Sequence, residues 1–179
     1  AMEEVRLSSE PMLQQKNQSL TFHQPDRNVW LHADRDRVIQ VISNLVNNAS
    51  KYSGAGTEIE LKAAVIGTDL RISVHDSGIG ISEEDQASLF APFFRANNEE
   101  TQTESGSGLG LAIVKAIIDL HDGNVSVESE YGVGTTVTVV LPDSREGPTA
   151  EYLASQSDRS RVQIPRSRLM SEDDEPTIG

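Results

Sequence analysis

Alternation of apolar and polar residues in paired stretches constrains the fold of this sequence more than any other feature. The first pair spans residues 58–64 and 69–75 around Gly67, and the second spans residues 125–127 and 137–141. The apolar members of the first pair are Ile59, Leu61, Ala63, Leu70, Ile72 and Val74. A period of two is typical of strands with one buried face, so each pair predicts two antiparallel strands.

The first thirty residues carry weaker signals. Residues 19–22 and 29–31 are strand-like and are separated by a turn signal at residues 25–28, which predicts a hairpin. Residues 3–16 have loosely helical apolar spacing, and we expect Pro11 to kink or interrupt that helix because proline lacks a backbone N–H.

A helix is predicted over residues 35–52, with Asp34 as its N-cap. Its apolar positions, which recur at helical spacing, are Val38, Ile42, Leu45 and Ala49. Asn44, Asn48 and Lys51 fall on a neighbouring stripe of the same helix. This polar stripe beside an apolar one is the first indication of a binding site.

Two more helices are predicted farther along the chain. Ser82 followed by Asp85 resembles a capping box that opens a short helix reaching residues 89–90. Residues 109–120 form a strongly apolar helix, and the polar, glycine-containing residues 97–107 before it predict a loop.

Together these elements predict an α+β fold, a two-layer sandwich of a mixed, mostly antiparallel sheet with helices on one face. Residues 1–28 would supply an N-terminal helix and first strand, and residues 29–142 the core of the domain. Residues 143–179 are poor in apolar side chains and end near an acidic run, so we expect a largely irregular linker or tail.

Composition excludes several classes of protein. The net charge of -13 argues against nucleic-acid binding, since that affinity depends on Lys and Arg neutralising phosphates. The chain has no cysteine, which rules out disulfides and thiolate metal sites. No apolar run approaches the roughly 20 residues that cross a bilayer, so we expect a cytoplasmic domain without direct membrane contact.

Glycine clusters at residues 78–80 and 106–110 lie where strands or loops lead into helices, and helix N-termini present free N–H groups to anions. Neither cluster is a P-loop, because no Lys-Ser or Lys-Thr follows. Neither is a Rossmann fingerprint, because the second cluster is not preceded by a buried strand. Each cluster by itself indicates only a turn.

The order of the polar and glycine-containing motifs is far more specific. The motifs are Asn44-Leu45-Val46-Asn47-Asn48-Ala49-Ser50-Lys51-Tyr52, Asp76-Ser77-Gly78-Ile79-Gly80, Phe90-Ala91-Pro92-Phe93-Phe94-Arg95, Gly106-Ser107-Gly108-Leu109-Gly110-Leu111 and Gly132-Val133-Gly134-Thr135. In this order they resemble the N, G1, F, G2 and G3 boxes of the ATP-binding catalytic domain of bacterial sensor histidine kinases. That domain belongs to the superfamily of gyrase, chaperone, histidine kinase and mismatch-repair ATPases. The resemblance covers about residues 29–141 and implies a Bergerat-type fold.

The resemblance implies a role for each matched residue around the base. Asp76 would accept the adenine amino group, because an ionised carboxylate acts only as an acceptor. Gly78 and Gly80 would let the backbone pass close to the base, and Ile81 would pack nearby. Thr135 would complete this part of the nucleotide site.

The resemblance also implies Asn48, Lys51 and Arg95 as the catalytic residues. Asn48 would hold Mg²⁺ through its amide oxygen, a hard ligand suited to that ion, and Lys51 would face the phosphates of ATP. Tyr52 would contact the sugar or the phosphates, and Arg95 would neutralise the terminal phosphate.

The remaining implied nucleotide-binding residues lie at Asn44 and in the second glycine cluster. The cluster residues, whose N–H groups would cradle the phosphate chain at the start of a helix, are Gly106, Ser107, Gly108, Leu109, Gly110 and Leu111. Residues 97–107 would form a lid over the nucleotide.

The implied activity is transfer of the ATP γ-phosphoryl group to a histidine on a separate helical domain. A gyrase-like ATP hydrolase is an alternative, but that class places a glutamate one helical turn before the Mg²⁺ asparagine, where this chain has Asn44. An amide cannot act as a general base at neutral pH, which favours the kinase. A nucleotide-binding scaffold without transfer is a further alternative, which the intact motifs disfavour.

The implied partners are the histidine-containing dimerisation domain of the same kinase and the receiver domain of a response regulator. Dimerisation in such kinases resides mainly in the helical hairpin, so we expect this piece to be monomeric. None of the histidines, His23, His32, His75 and His121, lies in a context that suits a phosphoacceptor. The parent protein of such a domain can itself be membrane-anchored.

Overall fold

The computed structural model of the chain describes residues 2–25, 29–96, 106–142 and 144–146. The elements in chain order are α1 (Met2–Gln15), β1 (Ser19–His23), β2 (Val29–Leu31), α2 (Arg35–Tyr52), β3 (Glu58–Ile66), β4 (Asp69–Asp76), α3 (Glu83–Gln86), α4 (Gly110–Leu120), β5 (Asn124–Glu130), β6 (Gly134–Leu141) and β7 (Ser144–Glu146). The predicted lid over residues 97–107 lies mostly outside the described residues, as does the predicted tail from residue 147 onward.

A five-stranded sheet in the order β1-β3-β4-β6-β5 forms one layer of the domain. The two strand pairs predicted from alternation, β3 with β4 and β5 with β6, are both antiparallel neighbours, and β4 also pairs antiparallel with β6. Strand β1 is parallel to β3, which makes the sheet mixed. The predicted α+β class is therefore confirmed.

The predicted hairpin between residues 19–22 and 29–31 is wrong. Strand β1 adds to the edge of β3, with Leu20 opposite Ile59 and Phe22 opposite Leu61, so its apolar residues extend the buried side of the sheet. Strand β2 pairs antiparallel with β7 in a separate two-stranded sheet. The turn signal is local, whereas the gain from extending a large apolar surface is not visible in the local sequence.

Strand β7 falls within the segment that the sequence assigns to the tail. Ser144 is buried, and both its N–H and its hydroxyl donate to the carbonyl oxygen of Thr68, at 2.7 and 2.9 Å. These bonds join the residues after β6 to the turn between β3 and β4. We propose that the domain reaches Glu146 and that the linker or tail begins after it.

Helices α1, α2 and α4 pack with one face of the sheet to form the second layer. Fully buried side chains come from all of them: Val5 of α1, Ile42, Leu45 and Val46 of α2, Val114 and Ile118 of α4, and Ile59, Leu61, Val74 and Val139 of the sheet. The alternate residues of β3 and β4, such as Glu60 and Lys62, lie on the opposite face and are not buried. In the described part of the chain no helix has the length and apolar character of a membrane span.

Two predicted helices differ in extent from the structure. Helix α1 continues through Pro11 without interruption, and burial of Val5 and Leu13 on either side of the proline offsets its lost hydrogen bond. Ser82 does cap α3, its Oγ accepting from the N–H of Asp85 at 3.2 Å, but the helix ends at Gln86. The residues after it, up to Phe90, form turns.

The position of the core predicts unequal costs for the same substitution within β3. Ile59 is fully buried, whereas Ile66 is 54% exposed at the other end of the strand. Ile59→Ala should lower the free energy of unfolding by about 2–5 kcal/mol because it leaves a cavity. Ile66→Ala is the matched control and should cost less than about 1 kcal/mol. Urea unfolding measures both, and equal losses would contradict this assignment of the core.

Candidate functional site

A cavity of about 260 Å³ lies between α2, the sheet and the segments that flank α3 and begin α4. Its lining residues are Leu45, Asn48, Ala49, Lys51, Tyr52, Val74, Asp76, Ile79, Gly80, Ile81, Leu89, Phe94, Arg95, Ala96, Gly106, Ser107, Gly108, Gly110, Leu111, Thr135 and Val137. The cavity therefore collects residues from all the motifs singled out in the sequence.

One end of the cavity is positively charged. Lys51 Nζ donates to the Tyr52 hydroxyl at 3.0 Å and lies 4.7 Å from the centre of the Tyr52 ring. A Cβ placed on Gly106 would lie 2.6 Å from the same Nζ, so the ammonium lies directly against the glycine segment. Arg95 approaches this segment too, since its Nη1 donates to the carbonyl oxygen of Gly106 at 3.3 Å.

Asn44 and Asn48 face the first turn of α4 from one side of α2. Amide atoms of both lie 3.7–3.8 Å from the position that a Cβ on Gly110 would take. The Asn44 Nδ2 is buried and has no hydrogen-bond partner within the described part of the chain. Burial of an unpartnered amide donor costs free energy, and a polar group bound near this helix N-terminus would offset that cost.

Asp76 is the only carboxylate among the described lining residues. It ends β4, is 7% exposed, and accepts from the N–H of Gly78 at 2.9 Å. Burial raises the pKa of Asp76 above its ordinary value, and the Gly78 N–H lowers it by a smaller amount. Apolar side chains, among them Ile79 and Val137, line the same cavity.

Glycines 78 and 80 allow the loop after β4 to pack tightly against its neighbours. A Cβ on Gly78 would collide with the carbonyl oxygen of Tyr52, and one on Gly80, which has φ of +66°, would collide with the carbonyl oxygen of Glu130. The structure thus gives these glycines a role in protein packing, in addition to the predicted approach of backbone to a base.

Gly108 connects the two segments that close the cavity. Its φ is +70°, and a Cβ there would lie 2.8 Å from the Phe93 carbonyl carbon and the Phe94 carbonyl oxygen. The Gly108 carbonyl accepts from the N–H of Phe93 at 3.0 Å. The F-like and second glycine motifs, which the sequence separates by a polar loop, are therefore in direct contact.

Most of the residues predicted for the site line the cavity, and three do not. Asn44 lies behind the lining, Gly78 packs on Tyr52, and Leu109 precedes α4 as its N-cap. The lining residues that the motif reasoning missed are mostly apolar: Leu45, Ala49, Val74, Ile79, Leu89, Phe94, Ala96 and Val137. Several occupy the apolar positions of the predicted helix and strands, so the signal that marked them as core could also have marked the walls of a pocket.

The side chains of the cavity suit a Mg²⁺ ion that takes most of its oxygen ligands from phosphate and water rather than from the protein. Among the described residues no cluster of three or more His, Asp or Glu side chains could hold a metal by itself. Mg²⁺ commonly takes one or two protein oxygens and completes its shell with water and phosphate oxygens. The Asn48 amide oxygen, beside Lys51 and the start of α4, fits that requirement.

A family model, curated relatives and solved structures that resemble this chain all come from the same group of ATPases and kinases. The family described as histidine kinase-, DNA gyrase B-, and HSP90-like ATPase matches residues 33–145. Sensor histidine kinase WalK of Bacillus subtilis is 39% identical over 124 residues, which is 68% of this chain and 20% of WalK. SenX3 of Mycobacterium tuberculosis is 40% identical over 115 residues, covering 64% of this chain and 28% of SenX3. The matched part of the chain thus spans 20% to 28% of the length of these relatives.

Solved structures agree with the sequence matches. The catalytic domain of histidine kinase ThkA has a TM-score of 0.68 at 32% identity, with 79% of this chain and 89% of that chain covered. Full-length ShkA in complex with AMPPNP has a TM-score of 0.69 at 28% identity, with 83% and 30% covered. ThkA in complex with the response regulator protein TrrA has a TM-score of 0.66 at 30% identity, with 79% and 39% covered.

The raised pKa of Asp76 predicts a pH-dependent effect of Asp76→Asn on stability. A folded-state pKa above the unfolded value means that ionisation costs stability. The stability contributed by the protonated Asp76 side chain is fully present below about pH 3.8, and it is lost as the pH rises through the raised pKa. Relative to wild type, Asp76→Asn should therefore have a higher free energy of unfolding, and so be more stable, at pH 7 than at pH 4.

Urea unfolding at the two pH values measures this difference. Asp122→Asn is the control, because Asp122 is exposed and its left-handed backbone suits both residues. A relative stability of Asp76→Asn that is the same at both pH values would show that burial does not perturb this carboxyl group.

Proposed function

The chain belongs to the histidine kinase-, DNA gyrase B-, and HSP90-like ATPase family, and we propose that it is the catalytic ATP-binding domain of a two-component sensor histidine kinase. In this proposal the domain binds Mg·ATP and transfers the γ-phosphoryl group to a histidine on a separate helical domain. The observation that carries the proposal is one cavity with a buried carboxylate, apolar walls, and two cations next to a helix N-terminus.

The Asp76 side of the cavity suits adenine. The carboxylate would accept the exocyclic amino group of the base, whereas guanine offers a carbonyl at the corresponding position. Ile79, Ile81 and Val137 provide apolar surface for the faces of a planar ring. Thr135, also in the lining, pairs across the sheet with Asp76 and adds a hydroxyl near the carboxylate.

The opposite side suits a triphosphate. Lys51 and Arg95 supply two positive charges. The free N–H groups at the start of α4, together with the helix dipole, stabilise an anion bound there. Tyr52, held by Lys51 through its hydroxyl, would contact the sugar or the phosphates. Asn48 would hold Mg²⁺, which neutralises phosphate charge when bound. Asn44 does not line the cavity, so it would act indirectly, through the contact of its amide group with the first turn of α4.

Transfer is favoured over hydrolysis because the described lining residues place no carboxylate beside the two cations. Asp76 is the only described carboxylate in the lining, and Asn44 stands one helical turn before Asn48. Among the described lining residues water would find no carboxylate there to take its proton, whereas the unprotonated nitrogen of a neutral imidazole is nucleophilic before any proton is lost. The P–N bond forms as the bond from the γ-phosphorus to the bridging oxygen breaks, ADP leaves with that electron pair, and the imidazole proton passes to solvent or to a base outside this chain.

The proposed partners follow from the proposed reaction. The phosphoacceptor would be the histidine-containing dimerisation domain of the same kinase, and the phosphoryl group would pass on to a response regulator receiver domain. The likeness to ThkA, which has been solved with a response regulator protein, supports the second partner. We place the domain in the cytoplasm, where ATP is available, and expect it to be monomeric apart from its helical partner.

Phosphotransfer to a separately produced acceptor tests this function. The chain is mixed with the histidine-bearing helical domain of its parent protein and γ-labelled Mg·ATP, and acid-labile, base-stable label should appear on that domain. An acceptor domain with its histidine replaced by alanine is the control. Nucleotide binding without transferred label would indicate a scaffold, and release of free phosphate alone would indicate a hydrolase.

Gly108→Ala should weaken Mg·ATP binding much more than an equally strained glycine-to-alanine change outside the cavity does. Alanine at this position meets the backbone of Phe93 and Phe94 and displaces the segment that closes the cavity. Gly67→Ala is the matched control, because Gly67 has a similar φ of +65° but open space around it in the turn between β3 and β4. Backbone strain should cost each variant about 1–2 kcal/mol of stability, and the contact with Phe93 and Phe94 should add to that cost for Gly108→Ala.

Isothermal titration calorimetry with Mg·ATP separates the two variants. We expect an increase in Kd of at least about tenfold for Gly108→Ala, which corresponds to roughly 1.4 kcal/mol, and no more than about twofold for Gly67→Ala. Equal affinities for the two variants would remove the glycine segment from the binding site.

A further inference from the structure

The C-terminal end of α2 is held by side chains from the turn that follows α1. The last carbonyls of a helix lack intrahelical partners and must bond elsewhere. Gln18, which is 8% exposed, donates through Nε2 to the carbonyl oxygens of Ser50, Ser53 and Gly54 at 3.1, 3.2 and 3.0 Å. Its Oε1 accepts from the Ser50 hydroxyl at 2.6 Å. One buried amide thus satisfies both the helix end and a buried hydroxyl.

Lys16 reinforces the same contact. Its Nζ donates to the carbonyl oxygens of Ser50 and Lys51 at 3.2 and 2.9 Å. A positive charge at this position also complements the negative end of the helix dipole. Two side chains separated by one residue therefore hold the carbonyls of the last turn of α2 and of the residues just after it.

The turn that carries these side chains is itself fixed. The N–H groups of Lys16 and Gln18 both donate to the carbonyl oxygen of Leu13, and Asn17 between them has φ of +57°. On the other side, the N–H of Gly56 donates to the carbonyl oxygen of Lys16 at 2.9 Å. The turn is thus bonded both to α1 and to the loop between α2 and β3.

The end of α2 carries residues that face the cavity from two directions. Lys51 and Tyr52 line it directly. The carbonyl oxygen of Tyr52 accepts from the N–H of Ile79 at 3.1 Å, and Gly78 packs against the same oxygen. The position of this helix end therefore sets both the ammonium of Lys51 and the loop that follows Asp76.

We infer that Gln18, assisted by Lys16, is a positioning residue for nucleotide binding. Gln18 is not among the described residues that line the cavity, and it acts by fixing the α2 terminus that carries Lys51. This inference rests on the proposed function, because it takes the cavity to be a nucleotide site. Its physical basis is that a charge held in place before binding loses less entropy when the ligand arrives.

Gln18→Met tests the inference, because methionine keeps the length of the side chain but cannot bond the carbonyls. Calorimetric titration with Mg·ATP should give a Kd about fivefold higher than that of the wild-type chain, well below the melting temperature of either protein. Gln14→Met is the matched control on α1, since Gln14 is exposed and its side chain donates to Glu10 of the same helix. Its Kd should stay within about twofold of wild type.

A double-mutant cycle with Lys51→Met separates positioning from general loss of structure. If Gln18 acts through Lys51, Gln18→Met should change the Kd by less than about twofold in the Lys51→Met background. An equal fivefold loss in both backgrounds, or no loss in the wild-type background, would overturn the inference. If Gln18→Met does not fold, Lys16→Met takes its place in the same cycle, with the same expected and contrary results.

The two levels of proposal fail in different ways. A wild-type chain that shows no heat of binding and no rise in melting temperature at millimolar Mg·ATP would overturn the proposed function itself. A wild-type chain that binds Mg·ATP, with a folded Gln18→Met variant that binds equally well, would overturn only the role of Gln18.

Discussion

Packing of α2 against the sheet is the contact on which both the fold and the site depend. Ile42, Leu45 and Val46 are buried in the shared core, and this orientation turns Asn44 and Asn48 toward the start of α4 and Lys51 toward Gly106. Because residues three and four apart share a helix face, a rotation that exposed the apolar stripe would also remove the polar one from the cavity. The hydrophobic effect that stabilises the domain therefore also aligns the groups proposed to bind phosphate.

Close backbone contacts give the cavity its shape around this helix. Gly78 meets Tyr52, Gly80 meets Glu130, and Gly108 meets Phe93 and Phe94, at separations that would not admit a side chain. Each contact joins segments far apart in the chain. The glycines are therefore more than flexible points, since they let α2, the loop after β4 and the segment before α4 converge on one small volume.

Charge is arranged locally against the acidic character of the whole chain. The net charge of -13 would repel a polyphosphate on average, yet Lys51 and Arg95 lie together at one end of the cavity. Over distances beyond about 10 Å, salt screens the surrounding carboxylates, so the nearby cations and the α4 terminus dominate the field that a ligand meets. At the other end, burial shields from water the Asp76 carboxylate, which is proposed to contact adenine.

Local sequence determined much of this protein. The antiparallel pairs β3–β4 and β5–β6, helices α2 and α4, and most cavity residues follow from periodicity and motif order, because neighbouring residues share one element and its faces. Tertiary structure decided what local patterns cannot express. It placed β1 beside β3 and β2 beside β7, carried α1 through Pro11, and joined Gln18 to the end of α2. These arrangements are stabilised by contacts between segments that are distant in the chain. The sequence of one segment by itself does not show which other segment it will contact.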